Sequence, residues 1–116
     1  MEAIRKAAWQ YHEGLQTGNI ELLKKTFHPQ AMMYGPGMIV PTQGLFDYVA
    51  AQPAPAKSGE KHQCMITKID CLGAAASVEM LQHSYQGVSY INYFQLLKLD
   101  GSWVIVSKSF DVIGKP

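Results

Sequence analysis

This chain has no excess of charge of either sign. Its 116 residues carry ten Lys and Arg against nine Asp and Glu, for a net charge of +1. No basic stripe interleaved with aromatics is present, which argues against a nucleic-acid partner. No apolar run approaches the roughly 20 residues of a membrane span, so no membrane partner is expected. The first residues, MEAIRKAAWQYHEG, are amphipathic and lack the basic-then-apolar order of a signal peptide. There are only two cysteines, Cys64 and Cys71. Seven residues apart in one expected strand, they should face opposite ways at roughly 23 Å, too far to bridge. Two free thiols fit a reducing compartment, and a cytoplasmic location is expected. There is no phosphate loop, nucleophile elbow or dinucleotide fingerprint, and no cofactor is expected. The four histidines lack metal-ligand spacing, so no metal is expected either.

Hydrophobic residues make up 47% of the chain, enough for the core of one folded domain over residues 1–116. The apolar stripe Ile4, Ala8, Tyr11 and Leu15 predicts a helix from Glu2 to about Gln16, with Gly18 as its left-handed cap. Asn19 should cap a second helix, Ile20 to about Thr26. Ala31–Tyr34 reads as a short strand, turned by Gly35-Pro36-Gly37 into Met38–Val40. Thr42 is placed as the cap of a third helix, about Gln43–Gln52, and Pro53–Gly59 as a loop. Four long strands follow, at about 61–72, 74–85, 89–99 and 102–113. The stretch SYINYFQLLKLDGSWVIVSKSF (Ser89–Phe110) carries the strongest hairpin signal. Its Asp100-Gly101 pair suits a two-residue turn that needs positive φ twice. The order predicts an α+β fold, three N-terminal helices packed on a curved antiparallel sheet.

The motifs YHEGL…GN (Tyr11–Asn19), FHPQA (Phe27–Ala31) and NYFQLLKLDG…W…IVSKSF (Asn92–Phe110) resemble the NTF2-like superfamily, a cone-shaped α+β fold, over nearly the whole chain. Within it the chain looks most like the small SnoaL-like or "putative lumazine-binding" proteins. The resemblance implies a pocket between the helices and the concave face of the sheet, and often a homodimer through the convex face. Ketosteroid isomerase shares this fold and uses a tyrosine, a protonated Asp and a basic Asp. By motif these positions fall on Tyr11, Asn92 and Gly35, so the base is missing.

The candidate catalytic residues are therefore Tyr11 and Asn92, which could polarise a carbonyl oxygen, and His28 at the pocket rim. Trp9, Tyr11, Phe27, His28, Met32, Tyr34, Tyr90, Asn92 and Phe94 are the candidate ligand-binding residues. Tyr90, Asn92, Phe94 and Leu96 share a strand face suited to a flat or hydrophobic molecule. Ser107 and Ser109 share a parity and could also line the pocket. His12 is expected to point away from the core, and His62 to be solvated. His83 opposes Gln82 and Ser84 in parity. The other face of the Tyr90 strand, Ile91, Tyr93, Gln95, Leu97 and Leu99, is largely apolar too, and a second copy is its simplest cover. Three readings follow: a homodimeric binder of a small hydrophobic or aromatic molecule; an isomerase, dehydratase or cyclase acting on a hydrophobic carbonyl compound through Tyr11 and Asn92; or a scaffold with a filled cavity.

Overall fold

The computed structural model describes residues 1–114. Helix α1 (Glu2–Thr17) ends where Gly18 takes φ 72°, and Asn19 opens α2 (Ile20–Thr26) by accepting the Leu22 amide on its side chain. The expected stripe of α1 is buried, with Ala7 and Gly14 beside it. Gly14 is small for a packing reason. A Cβ there would lie 2.5 Å from Leu23 of α2, so the two helices could not approach as they do.

Strand β1 (Phe27–Gly35) turns into β2 (Met38–Pro41), and α3 (Gln43–Ala51) follows. Thr42 stands at the start of α3, but its side chain makes no capping bond; its backbone N–H bonds instead to the Ala31 carbonyl. The expected loop at 53–59 contains one helical turn, α4 (Pro55–Ser58), with Pro55 at the position that needs no N–H. Strands β3 (Gln63–Leu72), β4 (Ala75–Tyr85), β5 (Val88–Leu99) and β6 (Ser102–Gly114) form the meander. Asp100 and Gly101 both have positive φ, as the hairpin signal required.

The sheet has six strands in the order β2-β1-β6-β5-β4-β3. It is mixed rather than antiparallel, because β1 runs parallel to β6. Four strands and two helices separate the two, ample chain for a parallel crossover. The register is irregular at five places, three of which bear on the site: Thr67 in β3, His83–Ser84 in β4 and Val106 in β6; the other two lie at Ile113 in β6 and between Phe27 and Met32 in β1. Each leaves extra residues in one strand, bends it, and reverses which parity faces inward. The Thr67 bulge pairs Cys64 with Gln82 and Cys71 with Ala76, both on the inner face. The two cysteines therefore share a face, contrary to the alternation read from the sequence, and both are free.

The core lies between α1, α2, α3 and the inner sheet face: Ile4, Leu15, Leu23, Phe46, Val78, Met80, Phe94, Leu96 and Ile105. Each such side chain contributes about 1.5–3 kcal/mol on burial. Glu60 pins one end of the sheet. Its carboxylate accepts the backbone N–H groups of Gln86 and Gly87 at 2.9 and 2.6 Å and the Ser84 hydroxyl at 3.2 Å. These bonds hold the β4–β5 turn, where Ser84 and Gln86 have positive φ.

Candidate functional site

Core packing stops short at one end of the sheet and leaves a cavity of about 320 Å³. Tyr11 and Leu15 of α1 form one wall, and Leu45 and Tyr48 of α3 another. Met33 of β1 with Met38 and Val40 of β2 close a third side. The sheet supplies Gln82, Tyr85, Tyr90, Lys108 and Phe110. Such a volume and an apolar lining with few polar groups are typical of small-molecule sites.

Lys108 is the exceptional member, only 5% exposed. Its Nζ lies 3.8 Å from Met33 Sδ, 4.7 Å from the centre of the Phe110 ring and 5.2 Å from that of Tyr11. Sulfur and ring faces stabilise an ammonium weakly. Among the described residues the one ion pair is Lys68–Asp70, at the surface. Burial therefore dominates and brings the Lys108 ammonium down to about 7, against a smaller opposing effect of Cys64.

A buried polar chain runs beside the cavity. The Tyr11 hydroxyl and Asn92 Nδ2 both donate to Gln82 Oε1, at 3.3 and 2.9 Å. Gln82 Nε2 lies 3.1 Å from His62 Nε2, and His62 Nδ1 lies 3.0 Å from Gln16 Oε1. With Gln82 donating, the imidazole carries its proton on Nδ1 and donates it to Gln16. Burial lowers His62 to about 4, with His12 acting in the same direction, so the ring is neutral near pH 7. Burial also holds the Tyr11 phenol well above its ordinary range, so it stays protonated.

Of the expected catalytic set, Tyr11 and Asn92 are brought together, but their donors converge on Gln82 Oε1 rather than on open space. Asn92 is fully buried and is not part of the cavity lining. His28 lies elsewhere. It borders a separate groove with Lys24, Phe46 and Pro41, and its Nδ1 accepts the Gln30 amide at 3.0 Å. Of the expected ligand-binding residues, Tyr11 and Tyr90 line the cavity, while Phe27 and Phe94 are core. Trp9 is exposed on the outer side of α1, edge-on to His12. Met32 and Tyr34 pair with Ser107 and Ser109 on the outer face, whereas Met33 pairs with Lys108 on the inner one. Two adjacent methionines look alike in the sequence, and only the register chooses between them.

The same logic explains the residues that sequence reasoning missed. Continued from buried Ile105, strict alternation would turn Ser107 and Ser109 inward and Lys108 outward. The bulge at Val106 inverts this and presents Lys108 and Phe110 to the cavity. Phe110 also accounts for the missing base, since a Cβ on Gly35 would lie 2.6 Å from its ring. His62 is buried rather than solvated, because the residue just before β3 is held between Gln16 of α1 and Gln82 of β4. Ligand-capable atoms of His12, His62 and Cys64 lie within 4.8 Å of one another, a grouping drawn from α1 and β3 that no local spacing could show. Both His62 ring nitrogens are already bonded there. Burial pushes the Cys64 thiol up to about 12, so metal binding at this cluster would need both a broken hydrogen bond and a proton lost. His83, freed by the β4 irregularity, is exposed and lies 3.2 Å from Ser89 Oγ.

The fold that encloses this cavity is shared with known proteins. The family model described as "Putative lumazine-binding" matches residues 1–111. The chain belongs to this family. The fold is NTF2-like. A solved NTF2-like protein of unknown function from Shewanella baltica OS155 is 28% identical, with a TM-score of 0.89, covering 98% of this chain and 94% of that one. A ketosteroid isomerase-like protein from Erwinia carotovora atroseptica SCRI1043 shares the fold at 17% identity and a TM-score of 0.76, covering 97% and 95%. Among curated proteins, Aldolase FrzH of Cladobotryum sp is 27% identical over 117 residues, covering 94% of this chain and 88% of its own. No described helix of this family member is long and apolar enough to cross a membrane.

Proposed function

We propose that this protein binds a small, largely apolar molecule bearing a carbonyl oxygen, and that it does so as a homodimer joined through the outer face of the sheet. The carrying observation is a cavity of about 320 Å³ with an apolar lining and one lysine amine in its wall. The Tyr11 hydroxyl, beside it in the lining, is already bonded to Gln82. Among the described residues Lys108 has only a thioether as acceptor, so a ligand oxygen would be its first good partner. The family description supports the same chemistry, because lumazine is a flat bicyclic dione. The dimer rests on exposed Met65, Leu81, Tyr93, Leu97 and Leu99, more apolar surface than a solvated sheet face ordinarily shows.

A second reading, catalysis at the carbonyl, is favoured by Lys108 rather than by Tyr11 and Asn92. The relative named as an aldolase lends it support.

Thermal shift with lumazine, benzyl alcohol and a set of cyclic and aromatic ketones tests binding, alongside native and denatured masses of freshly purified protein. Wild type should be stabilised by at least one compound, and Leu45→Trp, which fills the cavity, should lose that shift. If no compound shifts the transition and no removable mass accompanies the native protein, the binding reading fails.

A further inference from the structure

A lysine that makes no ion pair among the described residues has a chemistry that its charge alone does not suggest. Lys108 lines the cavity, and its surroundings are a thioether and two aromatic rings. The titratable groups that face it are Tyr11 from α1 and Cys64 from β3, and both are held in their neutral forms by burial. Nothing around Nζ competes for a nitrogen lone pair, and an apolar chamber opens in front of it. A desolvated lysine in an apolar pocket is a recognised way of making an amine nucleophilic.

We propose that Lys108 Nζ attacks the carbonyl carbon of an aldehyde or ketone seated in the cavity and holds it as an imine, a step that rests on the carbonyl-binding reading above. The N–C bond forms as the carbonyl π pair moves to oxygen. One nitrogen-bound proton passes to that oxygen, giving the neutral carbinolamine. The C–O bond then breaks, and the hydroxyl leaves as water with the remaining nitrogen-bound proton. One amine and one carbonyl give one imine and one water, with no oxidant or reductant. The imine is an electron sink that makes carbon–hydrogen and carbon–carbon bonds next to it labile, the chemistry on which a lysine-dependent aldol reaction depends.

The test uses wild-type protein at pH 7, benzaldehyde as the probe and cyanoborohydride to trap an imine, read by intact mass and peptide mapping. An ordinary lysine is almost wholly protonated at that pH, so benzylation should concentrate on Lys108, at least about tenfold above exposed Lys68 and Lys98. Lys108→Met should lose the addition. Labelling of Lys108 no greater than that of Lys68 and Lys98 overturns the imine. Benzyl alcohol cannot form an imine and separates the two claims. If it stabilises the protein while Lys108 goes unlabelled, the pocket stands and the imine falls. If it fails to stabilise and no label enters Lys108, both fall.

Discussion

Gln82 joins the two halves of the site, since one amide accepts from Tyr11 and Asn92 and donates toward His62. Gln82→Leu would strand buried partners on both sides. Each orphaned group costs about 1–3 kcal/mol, so the loss should be at least about 2 kcal/mol by urea unfolding. Gln16→Ala, at the open end of the chain, should cost under about 1 kcal/mol. Equal losses would mean that the chain of bonds is not a unit. Lys108 makes a pH prediction. Below pH 7 both the folded and unfolded states hold its proton, and the folded state carries the full penalty of a buried charge. Between its folded value of about 7 and its ordinary 10.5, only the unfolded state holds the proton, so stability rises with pH. Above about 9 the raised Cys64 thiol acts in the opposite sense, which leaves pH 7–9 as the window. Wild-type stability should climb there by up to about 1.4 kcal/mol per unit, and Lys108→Met should remove that climb. Parallel profiles for the two proteins would contradict the burial of an uncompensated amine.

At the scale of elements, α1 and α2 meet at Gly14. Replacing a helical glycine by alanine ordinarily stabilises by about 1 kcal/mol. Here the new methyl would meet Leu23 at 2.5 Å, and the sign should reverse. Gly14→Ala should cost about 1–3 kcal/mol in urea unfolding, and Leu23→Ala in the same chain should relieve the clash, giving a non-additive double-mutant cycle. The helices and turns were legible because their signals are local. The α1 stripe, the Gly18 stop, the Asn19 cap and the Asp100-Gly101 turn each depend on residues within a few positions. The bulges were not legible. Thr67 and Val106 are ordinary strand residues, and each bulges because its partner strand pairs on either side of it. The Val106 bulge is why Lys108, and not Ser107 and Ser109, faces the cavity, while Met33 rather than Met32 and Tyr34 faces inward through the parity that pairing with β6 sets.

For the molecule as a whole, the question is what covers the outer sheet face. Its alternating positions on β5, Tyr93, Leu97 and Leu99, are exposed, with Met65 and Leu81 nearby on β3 and β4. If a second copy packs there, light scattering behind size exclusion should give twice the chain mass. Tyr93→Glu with Leu97→Glu should give one chain mass with the cavity still able to bind, because neither residue lines it. A wild-type monomer at micromolar concentration would remove the homodimer from the proposed function.

The sequence by itself determined the order of elements, most of their ends, the α+β class and the resemblance to the NTF2-like superfamily. These follow from periodicity and turn chemistry, which act over a few residues. Tertiary structure decided which parity of each strand faces inward and joined β1 to β6 in parallel. It also brought Tyr11, Gln82 and Lys108 from three elements, and His62 from just before β3, to the same side of the core. Strand register and bulges are set by the free energy of pairing and packing across the sheet, and that energy is shared among residues far apart in the chain.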